Sequence, residues 1–352
     1  MKILKYLFFL ILLIIIGSAI YFGTKDGSYD VQDSVVIPAA PEIVFNKVND
    51  FKSWESWSPW KQNDPNIVFN YAERISGEGA SFSWDGNNNG SITTTKVIPN
   101  KEIYQDITFE SSVGKRQSEM YWNFEDLGDS TKVIWGTKGE HSLVDKFFHS
   151  IKNSDFVAKI HEMNRKGLKN ISDEVIADMK KYSINVDGVT QYGGGYYMYT
   201  TTVAREQEID EKSKSMMNLV NDFITRNKLN ISGNPFILYN EKDPMNNTVI
   251  FSACFPISEK VITPEGSPVV CGFMEPVSAV KVSLKGDFKH LPEALQKGLD
   301  YIRLEGLQAD INRNVFEVYA TDPELEPNPA NWVTEVYIPI VTSEEEVIMD
   351  LR

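Results

Sequence analysis

The feature that most constrains this chain is an internal repeat in its second half. Phe236-Ile-Leu-Tyr239 is followed by Asp243-Pro244 and by a β-rich run that ends in Pro256-Ile257. Some eighty residues on, the pattern returns as Phe316-Glu-Val-Tyr319, Asp322-Pro323 and a run ending in Pro339-Ile340. Each copy opens with a strand and a helix. In the first these are Gly195 to Val203 and Glu208 to Asn227, with Met216, Leu219, Val220 and Phe223 at helical spacing. In the second they are Ser278 to Leu284 and His290 to Leu304. Two strand–helix–strand–strand units predict one sheet with a pseudo-twofold axis and a cleft between its halves.

The copies differ where chemistry is possible. Strand alternation puts Glu317 beside Tyr319 and Glu335 beside Tyr337, each pair opposite an aliphatic face suited to packing on helices. The first copy carries Ile237 and Ser252 at the matching places. The Glu/Tyr faces are therefore expected to line the cleft, with Glu335 first, Glu317 second, and Tyr337, Tyr319 and Trp332 beside them. Solvated strand glutamates explain the same pattern. A carboxylate among aromatic rings either pairs with a cation or, partly desolvated, serves as a general acid or base.

This organisation resembles the GyrI-like effector-binding domain of AraC-type and MerR-type regulators. The resemblance rests on the paired units, on Val282-Ser-Leu-Lys-Gly286-Asp-Phe288 before the second helix, and on Trp332-Val-Thr-Glu335-Val-Tyr337-Ile-Pro339. It implies a cleft for a hydrophobic, often cationic, small molecule, held on aromatic walls around a glutamate. Some members hydrolyse reactive small molecules, so a hydrolase using a cleft Glu/Tyr pair is the alternative.

Residues 28 to 180 read differently. A strand from Tyr29 to Ile37 precedes a helix opened by Pro41, which suits a first turn because its missing N–H costs nothing there. Six short strands follow between Ile67 and Gly139, separated by turn signals such as Asp85-Gly86 and Leu127-Gly128-Asp129. An amphipathic helix is expected from Leu143 to Tyr182, with Phe147, Phe148, Ile151, Phe156, Ile160, Met163, Leu168 and Ile171 as its stripe. Val36-Ile-Pro-Ala-Ala-Pro-Glu-Ile-Val-Phe45 and Phe51-Lys-Ser-Trp54-Glu-Ser-Trp57-Ser-Pro-Trp60 resemble the opening of SRPBCC (polyketide-cyclase and START-like) helix-grip proteins. That resemblance implies an interior cavity and carries no catalytic signature. Trp54, Trp57 and Trp60 fit a cavity lining, and fit better as core.

The N-terminus is apolar from Tyr6 to Phe22, long enough to cross a hydrocarbon core of ~30 Å. Lys2 and Lys5 precede it, and Asp26, Asp30 and Asp33 follow. The positive-inside rule then predicts a single-pass signal anchor over residues 1–27, with everything beyond it outside the cytoplasm. A signal peptide cleaved near Gly17-Ser18-Ala19 and a buried soluble helix are the rivals.

Composition excludes more than it includes. Lys plus Arg number 35 against 49 Asp plus Glu, a net charge of -14, which opposes binding of nucleic acid over a broad face. With 2 cysteines and 4 histidines, a disulfide scaffold or Cys-built zinc site is excluded, and no metal or cofactor is expected. His161-Glu162 begins an HExxH pattern that Arg165 breaks. Cys254 and Cys271 read equally as a disulfide and as two thiols. The expected fold is α+β: an N-terminal transmembrane helix, a helix-grip antiparallel sheet over 28–180, and the duplicated domain over 181–352.

Overall fold

The computed structural model describes residues 2–86, 89–111, 114–146 and 156–341. It is α+β, built as two compact units, Met1–Asp178 and Met179–Arg352.

The first unit opens with α1 (Lys2–Gly23), a helix whose apolar side chains are all unburied. It is the one helix among the described residues long and apolar enough to cross a membrane. Next come β1 (Ser28–Ile37), α2 (Pro41–Asn49) and two short helices, α3 (Trp54–Trp57) and α4 (Pro59–Asn63). Six further strands follow: β2 (Val68–Tyr71), β3 (Ser81–Asp85), β4 (Asn89–Ile98), β5 (Glu102–Ser111), β6 (Gly114–Asp126) and β7 (Thr131–Glu140). They form an antiparallel sheet in the order β1-β7-β6-β5-β4-β3-β2. Consecutive hairpins give that order directly, and β1 closes on β7.

The unit ends in α5 (Phe156–Met179), which buries Ile160, Asn164, Gly167, Leu168, Ile171 and Val175 at helical spacing. Phe147, Phe148 and Ile151 of the expected stripe lie outside the described residues. Trp54, Trp57, Trp122 and Trp135 are each under 2% exposed, and Trp122 stacks on Trp135 at 4.4 Å. Buried indoles need partners for their N–H groups. Trp54 donates to the Val48 carbonyl at 2.8 Å and Trp122 to Gln105 Oε1 at 3.1 Å. Trp60 stacks on Trp84 at 5.5 Å. The tryptophan turn is thus packed as core.

The second unit is one sheet. Its strands are β8 (Ser183–Tyr192), β9 (Gly195–Arg205), β10 (Phe236–Asp243), β11 (Thr248–Pro256), β12 (Val270–Met274), β13 (Val277–Lys285), β14 (Phe316–Tyr319) and β15 (Val333–Pro339). Helix α6 (Ile209–Arg226) follows β9, and α7 (Leu291–Leu304) follows β13. The order is β12-β9-β11-β10-β14-β15-β13-β8, with every pair antiparallel. The first repeat is β9-α6-β10-β11 and the second is β13-α7-β14-β15. They meet at a short β10–β14 seam, where Phe236, Ile237 and Leu238 face Val318, Glu317 and Phe316.

Strands β8 and β12 were absent from the sequence reading. Each leads into the first strand of one repeat yet pairs with the first strand of the other: β8 with β13, β12 with β9. In a flat sheet β9 and β8 would stand six strands apart, about 29 Å. Tyr192 and Gly195 are three residues apart, so the chain spans at most roughly 11 Å between them. The sheet must therefore curl, drawing its two halves together. Gly194 sits where the two crossovers touch: its φ is 66°, and a Cβ there would lie 2.2 Å from the Met274 carbonyl oxygen.

One face of the sheet is covered by helices. Val280, Val282, Leu284, Val336 and Ile338 pack with Leu291, Ala294 and Ile302 of α7. Phe251, Ala253 and Ile237 pack with Met216 of α6, and Met198 packs with Val220 and Ile224. Among the described residues no helix packs on the other face; there Phe236, Cys254, Phe316 and Tyr337 form a cluster shared by both halves.

Candidate functional site

The helix-free face becomes polar with distance from the crossover. Along β13 its side chains run Val277, Ala279, Lys281, Ser283, the first two buried and the last two half-buried. Aromatic rings fill its floor. Phe316 stacks on Tyr337 at 4.9 Å, Tyr192 meets both edge-on at 4.8 and 5.1 Å, and Tyr197 meets Phe236 at 5.3 Å.

Above this floor lies a charged group. Glu335 has a donor on each oxygen: Lys281 Nζ on Oε1 at 2.6 Å and the Tyr337 hydroxyl on Oε2 at 2.8 Å. Lys281 Nζ also stands 4.0 Å from Asp187 Oδ2, which accepts from Ser283 Oγ at 2.6 Å. Asp187 is the extra residue of a β-bulge, where the register slips between Lys281 and Val282. The bulge and Gly188 at φ 90° turn Asp187 toward β13. The three charged side chains are 24–31% exposed. Two carboxylates against one ammonium leave the group one negative charge in excess. Burial, then the Glu335 carboxylate, pushes the Tyr337 hydroxyl well above its ordinary pKa, so it stays a donor.

The repeat makes this chemistry one-sided. Phe236 faces Cys254 as Phe316 faces Tyr337, and Tyr199 faces Cys254 as Lys281 faces Tyr337. Register therefore matches Tyr199, Ser252 and Cys254 to Lys281, Glu335 and Tyr337. In the first half Ser252 bonds Thr201 and Asn240, both at 2.8 Å, and no charge is present among them.

The expected site residues divide between the two faces. Glu335 and Tyr337 lie on the helix-free face, as their alternation against Val336 and Ile338 predicts. Glu317, Tyr319 and Trp332 do not join them, which corrects the expectation of one Glu/Tyr wall. On β14 it is Phe316 and Val318 that join the helix-free cluster. Glu317 is 5% exposed and accepts from Tyr239 at 2.9 Å and Tyr319 at 3.1 Å. Burial raises its pKa to about 7 against the lowering pull of both phenols, and Asp210 adds to the rise. Trp332 donates to the Glu326 carbonyl at 2.7 Å and packs on Phe288, which meets Tyr319. Lys281 and Asp187 escaped the sequence reading. The signal for Lys281 was a lone charge in the apolar run Val277–Leu284; β8 carried the period-two alternation that would have found Asp187.

Cys254 and Cys271 are both free. Cys254 belongs to the helix-free cluster and Cys271 to the cluster under α6, so they lie on opposite sides of the sheet. Burial pushes the Cys254 thiol well up, the reverse of an activated nucleophile.

No family model and no curated protein matches this sequence. Solved structures similar to it include the C-terminal domain of EcmrR, at 14% identity and a TM-score of 0.40, covering 46% of this chain and 98% of that one. EcmrR in its DNA complex matches at 13% and 0.39, covering 57% and 77%. Protein CV1439 from Chromobacterium violaceum matches at 13% and 0.33, covering 42% and 96%. Likeness at this level assigns no activity to the chain. Its own architecture defines the class: an α+β protein of two antiparallel sheets preceded by one apolar helix.

Proposed function

We propose that the second unit binds a hydrophobic, cationic small molecule on the helix-free face of its sheet, and that α1 tethers the chain to a membrane. The observation that carries this is the acidic excess of Asp187, Lys281 and Glu335 over an aromatic floor, present in one half of a repeat that folds without it in the other. Aromatic faces and a half-desolvated carboxylate together favour a flat organic cation. Glu335 and Tyr337 are the binding residues of this reading. Tyr239 and Tyr319 already occupy Glu317, and Trp332 is spent on packing, so neither is assigned a ligand.

The test uses the full chain in nanodiscs of zwitterionic lipid, with empty discs subtracted. Methylacridinium should bind, and Glu335→Gln should weaken it about tenfold, the scale of one charge-assisted contact. Neutral acridine, at a pH above its own pKa, should bind equally to both proteins. Equal methylacridinium affinity in both would end the reading.

A further inference from the structure

We propose that Lys281 is a resident counter-cation, which a ligand cation displaces from Glu335 and which then transfers to Asp187. The inference rests on the binding reading above and names how that face selects its ligand. Glu335 is not a vacant acid. Its oxygens already hold an ammonium at 2.6 Å and a phenol at 2.8 Å. An incoming cation therefore meets no free charge until Lys281 leaves.

Lys281 has somewhere to go. Its Nζ is 4.0 Å from Asp187 Oδ2, on the other side from Glu335. A rotamer change about the flexible four-carbon stem closes that gap without moving the backbone. Asp187 is prepared for it: Ser283 and Asn185 both donate to its carboxylate and fix its direction. Tyr337 also stays with Glu335 through the exchange, since its hydroxyl bonds the other oxygen, Oε2. The Tyr337 ring, 6.0 Å from the Lys281 ammonium, is then available to a flat cation.

The exchange sets selectivity. A neutral aromatic cannot replace the ammonium and leaves the pair intact. An anion would require Lys281 to turn outward past two carboxylates. A cation with an aromatic body takes the Lys281 position beside the Tyr337 ring. The repeat shows how specific the device is, because Tyr199 holds the matching position and no exchange is possible there.

The same nanodisc assay tests this with four variants. Lys281→Met removes the competitor and keeps a long apolar side chain. Methylacridinium should bind it about tenfold more tightly than the parent, while acridine is unchanged. Lys281→Arg should restore parental affinity. Asp187→Asn should weaken the dye severalfold in the parent, and less once Lys281 is Met, because the second seat then has no occupant. If Glu335→Gln weakens the dye but Lys281→Met weakens it or leaves it unchanged, the exchange is overturned while the binding face stands. If Glu335→Gln has no effect either, the binding reading itself has failed. Acridine binding reports that each variant is folded, so loss of both probes cannot be mistaken for either outcome.

Discussion

At Glu317 two phenols point at a single carboxylate oxygen in a place water hardly reaches. Ionising it in the folded chain is costly, which is why its pKa rises to about 7 while Tyr239 and Tyr319 are pushed well above theirs. A raised carboxyl pKa works against stability as pH increases. Below about 4.5 the group is protonated folded and unfolded alike, and nothing is lost. Between that pH and about 7 the unfolded chain ionises first, so stability falls; above 7 the loss is complete, at roughly 3 kcal/mol. Glu317→Gln should remove that slope. Urea midpoints would then be close to the parent's in mild acid, where the amide oxygen accepts from the same two phenols, and would exceed them in mild base. Parallel pH profiles for the two proteins would show that Glu317 ionises freely in the fold. Glu335, eighteen positions on, is held by an ammonium instead.

The strands explain how much could be read beforehand. Alternation states which side chains share a face, and it did so correctly for Glu335 with Tyr337 and for Glu317 with Tyr319. It does not state which face meets the helices when both are apolar. On β15 the even positions Val336 and Ile338 pack on α7, which leaves Glu335 outward. On β14 Phe316 and Val318 are as apolar as any helix-facing pair, yet they floor the open side. Only the register Phe316–Tyr337, set by the whole sheet, decides it. The repeat units, their helices and the tryptophan core were legible because each has a strong local period. The pairing of the exchanged edge strands was not, because their partners are distant in sequence. In the glycine run before β9, Gly194 is a contact point. A methyl group there meets the Met274 carbonyl at 2.2 Å in a left-handed backbone, so Gly194→Ala should cost about 2–3 kcal/mol of unfolding free energy. At Gly193 nothing lies within 4 Å, and Gly193→Ala should change stability by under about 0.5 kcal/mol. Equal chemical-denaturation midpoints for the two variants would mean the crossovers are not packed as described.

On the scale of the whole chain, α1 is long and apolar enough to cross a membrane. Its 22 residues rise about 33 Å, a bilayer's hydrocarbon thickness, and none of its apolar side chains is buried. Under the tether proposed above, Lys2 and Lys5 in the first turns of α1 favour an orientation with that end in the cytoplasm. A reporter active only outside the cytoplasm, fused after Arg352, should therefore be active, and the chain should stay with membranes through alkaline carbonate washing. Release of a mature chain beginning after Ala19 would identify α1 as a cleaved leader. Downstream of α1, the exchanged strands govern the order of assembly. Ser183 reaches its partner only after Lys285 has been made, and Gly195 waits for Met274. The emerging first repeat thus has a bare sheet edge on β9 until β12 is made, and β8 stays single until the second repeat's opening strand exists. Pairings this distant carry a high loop-closure cost before any reward, which slows folding. Each edge strand thus closes on the opposite repeat, and a chain shortened before Phe316 leaves β10 with an unpaired, aggregation-prone border.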